Sequence, residues 1–267
     1  MADSGTETPN YTETVRAYWE ETTSLYLQHG ATFQAGFVNE PGQPTNSTAN
    51  NLFLASRAGI KPGDRVLDAG CGVCGPSIDI ARSIPDVKID AVTLSPSQAT
   101  LARDAVRNAD LPDQVQIHVC DYHDLPFEAK RFDVVFFFES MYSVELPKLL
   151  TEVLRVLTSG GRLYAKEVFR MERSLSQLER AALEEFEDLF RYKVRSISEA
   201  IKDLAAAGFR EIESCDLSPL ASTLHFKRAK VEYKFGFLLP TAFGRRHARR
   251  FGSVPVLFGE LKARKAA

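Results

Sequence analysis

Three observations predict an α/β fold with a doubly wound, mostly parallel sheet. First, strand-length apolar runs alternate with helix-length segments between residues 65 and 168, the pattern of repeated βα units. Second, the run Arg65-Val66-Leu67 ends in Asp68-Ala69-Gly70-Cys71-Gly72 and passes straight into Ser77-Ile78-Asp79-Ile80-Ala81-Arg82. That is a strand, a glycine-rich turn and a helix, the arrangement that opens a ligand site at the carboxyl edge of a parallel sheet. Third, Val134-Val135-Phe136-Phe137-Phe138 is apolar throughout, as expected of a strand covered on both faces.

The elements follow in order. Residues 1–60 read as a helical cap. Tyr11–Gly30 is its first helix, with Tyr18, Trp19, Leu25 and Tyr26 as apolar surface. Ala31–Ser47, rich in Gly, Pro, Asn and Thr, is a loop, and Thr48–Ala58 is a helix ended by Gly59. Residues 61–169 form the βα core. Its strands are Arg65–Asp68, Lys88–Leu94, Val115–Cys120, Phe132–Glu139 and Arg162–Val168. Its helices are Pro76–Ser83, Ser97–Ala109 and Leu146–Leu157. Ser95 before Pro96 reads as an N-cap, and Ser159-Gly160-Gly161 as the C-cap of the third helix. Residues 170–267 supply a lid and further strands. Ser174–Tyr192 repeats apolar residues at three and four, including Leu178, Leu183 and Phe186. Ser198–Ala207 is a helix ended by Gly208, and Phe209–Leu217 is a strand. Lys227–Lys234 reads as a basic helix, and a last strand centres on Val254–Leu257.

Composition narrows the function. The chain has 267 residues, 44% hydrophobic and 25% charged, enough for one substantial core with an added cap. A net charge of −2 gives no whole-protein attraction to nucleic acid. No apolar run is long enough to span a bilayer, and the first residues have neither the basic start nor the apolar stretch of a secretory signal, so a cytoplasmic location is expected. Four cysteines are too few for a disulfide framework. Cys71 and Cys74 form a lone C-x-x-C with no second pair near it, and read as small residues filling a tight loop. No metal site is indicated; D-D-x-x-D is absent.

Four ordered segments then carry a resemblance. They are Asp68-Ala69-Gly70-Cys71-Gly72, Thr93-Leu94-Ser95-Pro96-Ser97-Gln98, Cys120-Asp121-Tyr122-His123-Asp124-Leu125-Pro126-Phe127, and the strand Arg131–Val135 with the helix-loop-strand around Leu154–Leu163. Together they resemble the S-adenosylmethionine-dependent methyltransferases of the Rossmann-like class. The resemblance implies that Asp68, Gly70 and Gly72 wrap the amino-acid end of S-adenosylmethionine. It implies that Leu94, Ser95 and Gln98 lie at the ribose, and that Asp121 accepts from the adenine amino group while Tyr122 packs on the ring. Glu139 could also meet the cofactor's amino group. Two departures stand out. The acid usual at the end of the second strand is missing, with Leu94 and Ser95 in its place. That absence also argues against a nicotinamide dinucleotide. Cys74 stands where a third glycine is usual.

The acceptor is read from Glu139-Ser140-Met141-Tyr142, which is similar to the segment of bacterial C-methyltransferases acting on prenyl diphosphates and, more distantly, to that of sterol C-methyltransferases. The resemblance implies methyl transfer to an alkene carbon of a small apolar, isoprenoid or prenylated metabolite. Glu139 would be the base toward a carbocation, with Tyr142 beside it. None of the five histidines falls at this edge, which argues against activation of a hydroxyl by a neutral base. Tyr18, Trp19, Tyr26, Met141 and Phe186 are the candidate pocket residues, since aromatic faces stabilise a cation without trapping it. O- or N-methylation using Glu139, Tyr142 or His225 stays open, as does a cyclase or binding protein that only retains the cofactor. The run Arg245-Arg246-His247-Ala248-Arg249-Arg250 reads as a solvated helix face or a subunit contact, or else as a diphosphate site. The aromatic first helix could also pack on a second copy of the chain.

Overall fold

Val66, Leu67, Val134, Val135, Phe136 and Phe137 are all fully buried. Neighbouring residues on one strand point to opposite faces, so both faces of the sheet must be covered. A computed structural model describes residues 11–28, 30–34, 36–141, 145–190, 193–221 and 254–266. Its helices are α1 (Tyr11–Leu27), α2 (Ser47–Arg57), α3 (Gly75–Ser83), α4 (Pro96–Asn108), α5 (Leu146–Val156), α6 (Gln177–Phe190) and α7 (Ile197–Ala207). Its strands are β1 (Arg65–Ala69), β2 (Lys88–Thr93), β3 (Val115–Val119), β4 (Phe132–Phe138), β5 (Leu157–Arg170), β6 (Arg210–Asp216) and β7 (Val256–Arg264).

The seven strands form one sheet in the order β3-β2-β1-β4-β5-β7-β6. The first five pair in parallel, and β7 runs antiparallel between β5 and β6. Strand order reverses between β1 and β4, so a crevice opens above their carboxyl ends. Phe136 packs in one layer with Leu54, Ile80 and Val106 from α2, α3 and α4. Phe137 packs in the other with Leu149, Val153 and Leu204 from α5 and α7. On α5 the buried residues Leu146, Leu149, Leu150 and Val153 recur at three and four, the spacing of one helical face.

The expected elements recur with most ends shifted by one to three residues, and three points need correction. Ser159-Gly160-Gly161 does not cap α5: the helix passes directly into β5 at Leu157. The glycines form a bulge there. Pairing jumps from Phe132↔Leu157 to Val134↔Arg162, and Gly160 takes up the slack at φ +71°. The last strand starts at Val256 and runs to Arg264, beyond the span centred on Val254–Leu257. Glu260 disguises it, being a buried acid that accepts from Arg57 Nε at 2.5 Å and Tyr164 Oη at 2.9 Å. The lid helix starts at Gln177, three residues after the expected Ser174, and is described as far as Phe190; Arg191 and Tyr192 lie outside the described residues. The basic helix Lys227–Lys234, the run Arg245–Arg250, His225 and Tyr142 lie outside the described residues. No helix among the described residues is long and apolar enough to cross a membrane.

Candidate active site

The crevice at the β1/β4 switch is a cleft of about 750 Å³, counted to its open mouth. Asp68, Gly70, Cys71, Gly72 and Pro76 form its floor, and Thr93, Leu94, Gln98 and Tyr122 one side. Phe138, Glu139 and Ser140 form the opposite side, with Val15, Trp19, Phe33 and Gln34 from the cap above.

The floor is shaped by backbone conformation. Gly70 and Gly72 sit at φ +96° and +55°, where side chains are strained. A Cβ on Gly70 would lie 2.5 Å from the Cβ of Ser140, and one on Gly72 would lie 3.3 Å from the Phe33 ring. Cys74 adopts the left-handed conformation itself, at φ +67°. Gly75 is needed for space instead, since a Cβ there would come within 2.4 Å of the Ala31 carbonyl oxygen. Gly70 and Cys71 turn their N–H groups onto Val92 O, so those two donors serve the sheet and not a ligand. The start of α3 has no side-chain cap, and the N–H groups that a helix start leaves without an intrahelical partner suit an anion. Asp68 accepts from Ser77 Oγ at 2.6 Å. Burial pushes its carboxyl up to about 7, against the lowering effect of that hydroxyl.

At the end of β2, Gln98 is clamped: its Oε1 accepts from Thr93 Oγ1 at 2.7 Å and its Nε2 donates to Thr23 Oγ1 at 2.9 Å. Ser95 is fully buried and caps α4 through Gln98 N. It also donates to Glu20 Oε1 at 2.6 Å, and Ser97 N donates to the same oxygen. An acid therefore does stand beside the end of β2, contributed by α1. The helix is tied down a third time where Thr12 Oγ1 donates to Asp121 Oδ2. Asp121 Oδ1 accepts from His123 N and from His123 Nδ1. Burial works to raise the Asp121 carboxyl, yet the His123 hydrogen bonds outweigh it and hold the group below its usual range. Asp121 is not on the cleft wall; its neighbour Tyr122 is.

Glu139 is on the wall, at φ +60°. It is not set among apolar groups alone: its carboxylate pairs with the ammonium of Lys166, which is fully buried. Its own N–H donates to Lys166 O at 2.7 Å. Ser140 N and Met141 N both donate to Glu167 Oε1 at 2.8 Å. Burial pushes the Glu167 carboxyl up to about 8. Ser140 Oγ reaches back to Ala69 O, and Tyr122 Oη donates to Ser140 O at 2.8 Å.

Of the five candidate pocket residues, the structure brings Trp19 to the cleft. Tyr18 and Tyr26 share a hydroxyl hydrogen bond of 3.0 Å behind it. Tyr26 packs on both Trp19 and Phe33, so these rings support the wall from the far side. Met141 lies in the layer under α5, and Phe186 is buried in the core of the opposite layer. The aromatic face of α1 turns inward onto its own chain, with Trp19 stacked on Phe33 at 6.2 Å. Sequence reasoning missed Lys166, Glu167 and Gln34, whereas Phe33, an aromatic of the cap like Trp19, does reach the cleft. For the first two a signal existed: a charged pair inside the otherwise apolar run Leu163–Phe169 demands buried partners.

Residues 66–161 match a protein family described as methyltransferase domain, over β1 to β5 and the cleft floor. The matched stretch, from β1 to the start of β5, thus resembles methyltransferase domains. The chain is 35% identical over 111 residues to 27-O-demethylrifamycin SV methyltransferase of Amycolatopsis mediterranei, covering 41% of this chain and 40% of that protein. It is 29% identical over 155 residues to sterol 24-C-methyltransferase of Saccharomyces cerevisiae, covering 57% and 40%. The chain thus aligns with less than half the length of either relative. The solved structure of geranyl diphosphate C-methyltransferase from Streptomyces coelicolor shares the fold over 97% of this chain and 99% of that one, with a TM-score of 0.76 at 22% identity.

Proposed function

We propose that this chain methylates an alkene carbon of a small apolar, isoprenoid-type acceptor, with S-adenosylmethionine as donor and Glu139 as base. The observation that carries the reading is the Glu139 carboxylate, held by Lys166 on the wall of the same aromatic-lined cleft whose floor is the Gly70–Gly72 turn. The residues present fit the cofactor. Side chains would fill the cradle at Gly70 and Gly72, and the floor continues into the uncapped start of α3. In this reading the floor and α3 hold the amino-acid end, Thr93, Leu94 and Gln98 flank the ribose, and Tyr122 lies at the adenine. Asp121, set back from the wall, holds His123 and the start of α1 behind Tyr122. When bound, the cofactor supplies an electrophilic methyl group.

The chain's own residues do the rest. Trp19, Phe33 and Phe138 present ring surface to positive charge developing on the acceptor carbon. Glu139 receives the proton that the acceptor loses. The cap over the cleft limits water, which would otherwise capture a cation. The sterol and geranyl diphosphate relatives support a carbon acceptor. O-methylation is the second reading, supported by the 35% identity to the rifamycin relative.

Incubation with donor carrying a ¹³C methyl group, and with geranyl diphosphate or a sterol as acceptor, separates the readings. A product methyl at an alkyl shift is expected. A methoxyl shift overturns the carbon reading, and no S-adenosylhomocysteine with any acceptor overturns methyl transfer. Glu139→Gln should bind S-adenosylhomocysteine normally in calorimetry and lose about 10²–10⁴-fold in turnover.

A further inference from the structure

We infer that Lys166 and Glu167, adjacent on β5, are positioning residues that hold Glu139 on the cleft wall. The inference rests on the reading of Glu139 as base. Successive strand residues point to opposite faces, and these two grip the turn after β4 from both. On one face the Lys166 ammonium pairs with the Glu139 carboxylate. It also donates to Gly36 O at 2.8 Å and lies 4.7 Å from the Phe258 ring centre. On the other face, Glu167 accepts the N–H groups of Ser140 and Met141. With Glu139 N on Lys166 O, three consecutive amides of the turn end on two residues of β5.

Two features make this more than packing. Glu139 occupies φ +60°, a conformation that a non-glycine residue keeps only where its surroundings impose it. A fully buried ammonium is also a poor source of stability. Desolvation offsets the attraction in such a pair, and an apolar side chain of similar volume often serves the fold as well. What the ammonium does here is set the direction of the Glu139 carboxylate on the cleft wall. Through Gly36 it also ties that carboxylate to the cap.

The test uses Lys166→Met and Lys166→Arg, each crystallised with S-adenosylhomocysteine and assayed with geranyl diphosphate. In Lys166→Met the Glu139 carboxylate should leave the wall. Turnover should fall about 100-fold with the acceptor KM within about threefold, since misplacing a reacting group costs that much. Lys166→Arg should keep the carboxylate in place and retain at least about a tenth of turnover. Adding Lys166→Met to Glu139→Gln should cost nothing more, because both changes remove one function. An unmoved carboxylate in Lys166→Met, or losses that add in the double variant, overturns the positioning role. Full turnover by Glu139→Gln overturns the base role instead, so the two failures are distinct. Should Lys166→Met not fold, Lys166→Gln, which keeps a donor for Gly36 O, is read by the same two measurements.

Discussion

Two turns at the carboxyl edge of the sheet, after β1 and after β4, both line the cleft and are built by opposite means. The first uses glycine at two of its three left-handed positions, Gly70 and Gly72, with Cys74 at the third. The second has no glycine, yet Glu139 stands at φ +60°. It is held there by β5 and by the hydrogen bonds of Tyr122 and Ser140. The first turn is encoded by the residues that make it. The second is imposed by residues elsewhere, and the strain it stores, of order 1–3 kcal/mol, is offset by those contacts. The difference follows from chemistry. A floor that must admit a ligand gains from missing side chains, whereas a reactive carboxylate needs a side chain in a place the backbone resists.

The turns touch where Gly70 meets Ser140, and the strongest test of the comparison is made there. Gly70→Ala puts a Cβ within 2.5 Å of the Ser140 Cβ and strains φ as well. It should lower stability by about 2–3 kcal/mol and abolish S-adenosylhomocysteine binding in calorimetry. Wild-type affinity in that variant would show that the turns do not constrain each other.

Glu167→Gln sharpens the second turn with a smaller effect. The amide keeps an acceptor for Ser140 N and Met141 N, so turnover at neutral pH should change by less than about threefold. Its pH dependence should change more. The Glu167 carboxyl sits at about 8 in the fold, above an unfolded value of about 4.3. The folded protein therefore holds a proton that the unfolded chain has released. The associated stability is intact below the unfolded pKa and is lost as pH rises through 8. Urea unfolding of the wild type should become easier from pH 5 upward, less steeply above 7, and level off above about 8. In Glu167→Gln the loss between pH 7 and pH 9 should disappear, leaving the part below 7 that Asp68, at about 7, contributes with the same sign.

The smallest effect isolates the backbone. Glu139→Ala and Glu139→Gly both remove the carboxylate and leave Lys166 without it. Glycine should be the more stable of the two by about 1 kcal/mol, because only it relaxes at positive φ. Equal unfolding midpoints would mean that the turn stores no strain.

Much of the cleft was legible in the chain. The floor, Leu94 and Gln98, Tyr122 and Glu139 all carry local signatures, and all line the cleft. Ser95 was legible as an N-cap, and a cap is what it is. The cap aromatics were legible as a group but not individually. Trp19, Tyr18 and Tyr26 share one helix face, and only packing decides which ring reaches the cavity. Met141 and Phe186 show the same limit, being apolar residues that burial claimed for the core. Ser159-Gly160-Gly161 misled because glycine serves a helix end and a strand bulge equally well.

Sequence alone determined the parallel half of the sheet and the glycine floor, since apolar runs, helix spacing and positive φ are properties of neighbouring residues. Only the tertiary structure decided the surroundings of Glu139, the buried Lys166 and Glu167 behind it, and the docking of α1 over the site. Those contacts join residues 27 positions apart in the case of Lys166 and Glu139, and 109 apart for Thr12 and Asp121. No periodicity encodes them; they exist only once the sheet has brought β4, β5 and the cap together.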